Sequence, residues 1–149
     1  MFKRILLATD GSSHAEKALE CAQELALRDD AQVIVVHAVE PVPTYHSYQK
    51  VLWGDQILAR LVAAGRELAN EAAQELRQAG VDVIVEVREG PPADAILRVA
   101  DVRQPDLIVM GSRGHGELAS LLLGSVSHRV LAHTRAAVMV VKATEQETG

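Results

Sequence analysis

Residues 106–127, DLIVMGSRGHGELASLLLGSVS, join an apolar pentapeptide to a stretch with glycines at 111, 114, 116 and 124 and a leucine triplet at 121–123. The pentapeptide has the length and branched-residue content of a short buried strand. A linker has no use for three leucines, and a core helix does not tolerate so many glycines. The stretch therefore reads as strand, glycine loop and helix start in succession, with Gly124-Ser125 opening the helix. That is part of a repeating strand–helix pattern, and the rest of the chain continues it.

Four more apolar runs have strand character: Arg4 to Thr9 (RILLAT), Gln32 to Val39 (QVIVVHAV), Val81 to Arg88 (VDVIVEVR) and Ala137 to Val141 (AVMVV). Helical periodicity fills the intervals. The first helix is predicted to start at Ser12-Ser13, with Ser13 and Glu16 as a capping box, and to reach about Arg28. Its inward face is Ala15, Ala18, Leu19, Ala22, Leu25 and Ala26. The second spans about Asp55 to Ala79, with Ile57, Leu61, Leu68, Ala72 and Leu76 on one stripe, a bend at Gly65 and a stop at Gly80. The third opens at Pro91-Pro92 and ends before Pro105. The fourth turns Val126, Val130 and Leu131 inward.

Strict alternation of strands and helices predicts an α/β fold, a doubly wound five-stranded parallel sheet with helices on both faces. Strands one, two and four are apolar on both faces, as central strands should be. The third alternates Val81, Val83, Val85 and Val87 with Asp82, Ile84, Glu86 and Arg88, which predicts an edge with one mostly solvated face. The fifth is apolar on both faces although it comes last. An open apolar edge invites a partner strand, so a homodimer through Ala137 to Val141 is expected.

Composition narrows the class. The chain has 149 residues, enough for one domain, and 48% hydrophobic but only 3% aromatic residues, so its core is built from Ala, Val, Leu and Ile. A net charge of −5 without runs of like charge disfavours a nucleic-acid surface. The single cysteine, Cys21, fits a reducing compartment and falls on the apolar face of the first helix. The apolar run Ile5 to Ala8 is too short for a signal peptide, and no segment has the length of a membrane span, so a cytoplasmic protein without membrane association is expected. The polar tail 143–149 is expected to be disordered, leaving 1–142 as a single domain.

Doubly wound sheets bind ligands beyond the carboxyl ends of their strands, where strand order reverses. Gly111 reads as the turn off strand four and Gly114 as a point of close backbone approach. Gly124-Ser125-Val126-Ser127 reads as a helix start whose amides attract an anion, for which phosphate is well suited. Arg113 and His115 either supply positive charge or are solvated loop residues. The spacing is neither a dinucleotide fingerprint nor a Walker A loop. His37 reads as a hydrogen-bonded core histidine, and His128 and His133 have no partners in metal-ligand spacing.

Gly111, two residues, Gly114, nine residues, then Gly124-Ser125 resembles the G-x2-G-x9-G-[ST] signature of the universal stress protein family, in its ATP-binding branch. ILLATDGS resembles the family's first strand and turn, and VIVVHAVE its second strand. The resemblance implies strand order 3-2-1-4-5 and ATP across the switch point. It implies that Ala8, Thr9 and Asp10 meet adenosine, that Ala38 offers a backbone contact to adenine, and that Met110 and Gly111 line the adenosine side. Gly114 would open towards the phosphates, and Gly124, Ser125, Val126 and Ser127 would cradle them. Ala8 and Ala38 stand where some relatives have larger residues, which implies looser adenine packing. Asp10 reads as a helix cap, a nucleotide ligand or both.

The leading functional expectation is a cytoplasmic ATP-binding stress-response protein, a nucleotide-dependent switch or sensor acting through dimerisation and an unknown protein partner. Mg2+ or Mn2+ would be held mainly by the phosphates. No catalytic constellation stands out, and Glu117 alone in the glycine loop supports at most slow ATP hydrolysis. The alternatives are an adenylating or ATP-hydrolysing enzyme of the related α/β ATP pyrophosphatase type, and a dimerisation module without nucleotide. The first is weakened because the turn after strand one reads TDGSS, with an acid where phosphate would lie. The segment Pro41 to Trp53 is a flap over adenosine, an oligomer contact or a loop packing its own aromatics.

Overall fold

A computed structural model describes residues 1–40, 47–112 and 123–142, with the helical backbone alone at 47–55. The elements alternate as β1 (Arg4–Ala8), α1 (Ser13–Asp29), β2 (Gln32–Val39), α2 (Ser47–Gln78), β3 (Val83–Glu89), α3 (Pro92–Arg103), β4 (Leu107–Gly111), α4 (Ser125–His133) and β5 (Ala137–Val141). The five strands form one sheet in the order β3-β2-β1-β4-β5. All pairings are parallel, with Leu6 opposite Ile34 on one side and Ile108 on the other.

Successive residues of a strand point to opposite faces, and here both faces are covered. Ile5, Leu7, Val33, Val35, Leu107 and Val109 pack against α1 and α2, largely through Ala18, Ala22, Ala69, Ala73 and Leu76. Leu6, Ile34, Val36, Ile108 and Met110 pack against α3 and α4, through Ala93, Ile96, Val99 and Val130. The alanine-rich helix faces let the helices lie close to the sheet, which compensates for the scarcity of aromatics. Cys21 is half-buried against the first of these clusters.

Several predicted details are corrected. The cap of α1 is Ser12, whose Oγ accepts from Ala15 N at 3.2 Å, so Ser13 is already helical and the Ser13–Glu16 capping box does not form. Helix α2 starts at Ser47 rather than Asp55. From Gln56 onward the first buried position is Gly65, beside the end of β2. Ile57 is accordingly 41% exposed, and Leu131 on α4 is 51% exposed, although both were predicted to face inward. Gly65 marks a close approach: a Cβ there would lie 2.7 Å from His37 Cδ2 and 2.9 Å from Val39 Cγ2.

The outer face of β3 is less solvated than its alternation suggested. Glu86 is buried, gripped by Arg103 from α3 and Arg88 from its own strand, each at 2.6 Å. A buried carboxylate requires such partners, and Arg103 lies too far along the chain for strand periodicity to foresee it.

Candidate functional site

The switch point lies between β1, which turns to β2 on one side, and β4 on the other. A cavity of about 430 Å³ opens at its carboxyl end. The first wall is the turn after β1. Thr9 N donates to Val36 O at 3.0 Å, and its carbonyl accepts from His37 Nδ1 at 2.8 Å, which requires a proton on Nδ1. The chain then reverses through Gly11 at φ +79°, a conformation suited to glycine, and Asp10 Oδ1 accepts from Ser12 N at 2.9 Å. The carboxylate thus shapes the turn before the helix, while Ser12 provides the cap.

The opposite wall is the end of β4. Gly111 does not have the left-handed φ of a turn glycine. It is glycine because the first turn of α1 presses on it: a Cβ would meet His14 Cβ at 2.6 Å. After it, Ser112 bridges three elements. Its amide donates to Val141 O of β5 at 2.8 Å, and its carbonyl accepts from Gly124 N at 2.6 Å. Ser127 Oγ donates to the carbonyls of Gly111, at 3.0 Å, and Ser112, at 3.2 Å. The start of α4 is thereby fixed against β4, independently of how the chain runs through 113–122.

Of the predicted set, Ala8, Thr9, Asp10, Ala38, Met110, Gly111 and Gly124 through Ser127 all line this one cavity. Arg113, Gly114 and His115 lie outside the described residues, as do Leu121, Leu122, the Pro41–His46 part of the aromatic segment, and the tail. Ser127 is 1% exposed and its hydroxyl is committed to carbonyls, so what it offers a ligand is its amide. The amides of Val126 and Ser127 precede the first helical bond, from His128 N to Gly124 O, and form the positive end of α4.

The sequence reading missed other parts of the wall. Pro92 and Ile96 from α3 close the apolar side with Val36, and Glu40 lies at the rim. No motif marks them, because α3 reaches the site only through the sheet order. His37 is half-buried and hydrogen-bonded as expected, yet it faces the cavity instead of a closed core. The described lining contains the carboxylates of Asp10 and Glu40 and no Lys or Arg, which leaves the α4 amides as its anion-attracting feature. Among the described residues no group of three His, Cys, Asp or Glu side chains gathers to hold a metal, and no helix is long and apolar enough to cross a membrane. A second cavity, about 220 Å³, lies at the amino edge of the sheet around Gln104, Pro105 and Thr134 and shares no residue with the first.

Comparison with known proteins agrees with this architecture. The model of the universal stress protein family matches residues 1–142. A Thermus aquaticus protein, named universal stress protein in QAH/OAS sulfhydrylase 3'region, is 39% identical over 142 residues, 95% of this chain and 100% of its own. Among solved structures, hypothetical protein MJ0577, subject of a structure-based assignment of biochemical function, superposes with a TM-score of 0.85 at 28% identity, covering 97% of this chain and 99% of that one. A universal stress protein solved in complex with cAMP has a TM-score of 0.68 at 26% identity, covering 96% and 99% respectively.

Proposed function

The chain belongs to the universal stress protein family, and from that premise we propose that it binds ATP in the cavity between β1 and β4 and uses occupancy as a switch. The observation that carries the reading is the convergence of Ala8 to Asp10, Ala38, Met110, Gly111 and the amino end of α4 on one 430 Å³ space. That volume lies in the range of small-ligand sites. Adenine takes the apolar side formed by Ala8, Val36, Ala38, Pro92, Ile96 and Met110. Asp10 serves the ribose, and the amides of Val126 and Ser127 receive phosphate. Arg113, Gly114 and His115 complete the phosphate end, as their place in the glycine signature suggests.

The residues fit a divalent ion carried with the nucleotide better than one bound by the protein. The phosphate end has the hydroxyl of Ser125 but no described carboxylate, so Mg2+ or Mn2+ is held mainly by phosphate oxygens and water. The bound cAMP of the related structure supports a nucleotide of the adenine class. The adenylating-enzyme alternative is disfavoured because the amide of Ser12 in the first turn is already taken by Asp10.

Occupancy acts by population shift: nucleotide favours the arrangement in which β4 and α4 present their amides together, and a partner reads that arrangement. Residues 1–142 act as one domain in the cytoplasm, and two copies pair through the edge strand β5. Ion-exchange chromatography of the supernatant from denatured protein tests the core of the reading. ATP recovered intact, or added ATP bound with micromolar affinity, is the expected result. Protein that is empty and fails to bind added ATP refutes it and leaves the dimerisation module. Sedimentation equilibrium should give twice the 16.1 kDa chain mass.

A further inference from the structure

The histidine in the first turn of α1 does not line the cavity. His14 is 6% exposed, and its Nδ1 lies 3.1 Å from the hydroxyl of Ser112, itself 1% exposed. A buried imidazole costs desolvation that a hydrogen bond must offset, and an alanine would continue the apolar face of α1 without that cost. Beyond the β1–β4 ladder, the contact also ties together the two ends of the site that come from different segments of the chain. Asp10, Gly11 and Ser12 are continuous with α1 through the Ser12 cap. The α4 amides are continuous with Ser112 through the bonds from Gly124 N and Ser127 Oγ. The His14–Ser112 bond joins these halves where α1 comes so close to β4 that a Cβ at Gly111 would meet His14 Cβ at 2.6 Å.

We propose that His14 is a positioning residue which, acting through Ser112, sets the distance from the β1 turn to the α4 amides, and so makes the site discriminate nucleotides by phosphate-chain length. The inference rests on the nucleotide reading above. Adenosine touches only the walls from β1, β2, α3 and β4. A polyphosphate must in addition reach Val126 and Ser127, so its binding alone registers that distance. Losing the bond lets the two halves part by tenths of an ångström, enough to misalign charge-assisted hydrogen bonds to phosphate.

Calorimetric titration of the full chain with adenosine, AMP and ATP tests this against His14→Ala, Ser112→Ala, the double variant and His14→Asn. Each alanine variant should bind ATP about tenfold more weakly and adenosine within about twofold of the parent, the size of one lost hydrogen bond. The double variant should be no weaker than either single one, because both remove the same bond. His14→Asn places an amide where Nδ1 stands and should recover most of the ATP affinity. Equal losses for ATP and adenosine, or no loss for either, overturn the proposal. Should His14→Ala fail to fold, Ser112→Ala and His14→Asn still make the comparison. Hydrogen exchange at the Val126 and Ser127 amides of ligand-free Ser112→Ala should then quicken, and unchanged exchange counts against the proposal. If the unaltered chain binds none of the three ligands, the nucleotide reading itself falls, and this inference with it.

Discussion

Replacing Gly65 by alanine sets two effects of known sign against each other. In a helix interior alanine is better than glycine by roughly 1 kcal/mol, so on propensity alone the variant should be more stable. The new Cβ, however, would stand 2.7 Å from His37 Cδ2, 2.9 Å from Val39 Cγ2 and 3.0 Å from His37 Nε2. Neither neighbour yields cheaply. The imidazole is anchored by its 2.8 Å bond to Thr9 O, and Val39 is β-branched and buried in a paired strand. Overpacking of this kind costs about 1–3 kcal/mol, and rotating the ring away gives up about 1 kcal/mol more in the lost hydrogen bond. Set against the propensity gain, the net loss is about 1–3 kcal/mol, and each kilocalorie lowers Tm by about 2–4 °C in a chain of this size. Urea unfolding followed by circular dichroism measures it. A Gly65→Ala variant as stable as the parent, or more so, would refute the close approach of α2 to β2. Adding His37→Ala to it should recover part of the loss, since the two sites share one contact.

Other expectations follow from single contacts. Ser127→Ala should cost about 1–2 kcal/mol in the same unfolding assay, because Gly111 and Ser112 carbonyls lose a buried donor. Glu86→Ala should cost only about 1 kcal/mol, since Arg88 and Arg103 stay 44% and 39% exposed and can hydrate once released; a loss above about 3 kcal/mol would show that they cannot. The Arg28 guanidinium, then the amide of Phe2, hold the Asp29 carboxyl down from its ordinary 3.8 to about 2. The unfolded chain therefore takes up that proton first, so this contribution to stability is present above pH 3.8 and lost as pH falls through about 2. Asp29→Asn should flatten the acid limb of a pH–stability curve in that window. Burial, and then the charge of Glu24, push the Cys21 thiol upward, so it should react with a disulfide reagent near neutral pH far more slowly in the native chain than in urea.

The fold was legible because each of its cues is local. Apolar runs gave all five strands to within two residues, and Gly124-Ser125 located the start of α4. The edge position of β5 followed from the resemblance and from the order of elements, and the sheet places it there. What was misread depends on neighbours distant in sequence. The predicted start of α2 at about Asp55 is late, since the backbone is helical from Ser47. Gly65 and Gly111 were read as backbone freedom, although each is required by a side chain or helix turn lying across it. Among the residues that shape the cavity, Ala8 to Asp10, Ala38, Met110, Gly111 and Gly124 to Ser127 could be named from sequence. Pro92, Ile96, His14 and Ser112 could not, since only the crossover of strand order brings α1, α3 and β4 to one place.

The pairing of Ile5 with Leu107 has a consequence for biosynthesis. β1 leaves the ribosome first, yet one of its sides waits for a strand made roughly 100 residues later, a delay of about 5–20 s at 5–20 residues per second. Until then an emerging chain can pair β1 only with β2, which in turn pairs β3, and presents the other edge of β1 to solvent or to a chaperone. The bond from Ser112 to Val141 extends the wait to the last strand. A nascent chain stalled before β5 would leave the Ser112 amide without its Val141 acceptor, so the junction that holds the start of α4 against β4 is completed only by the last strand of the sheet.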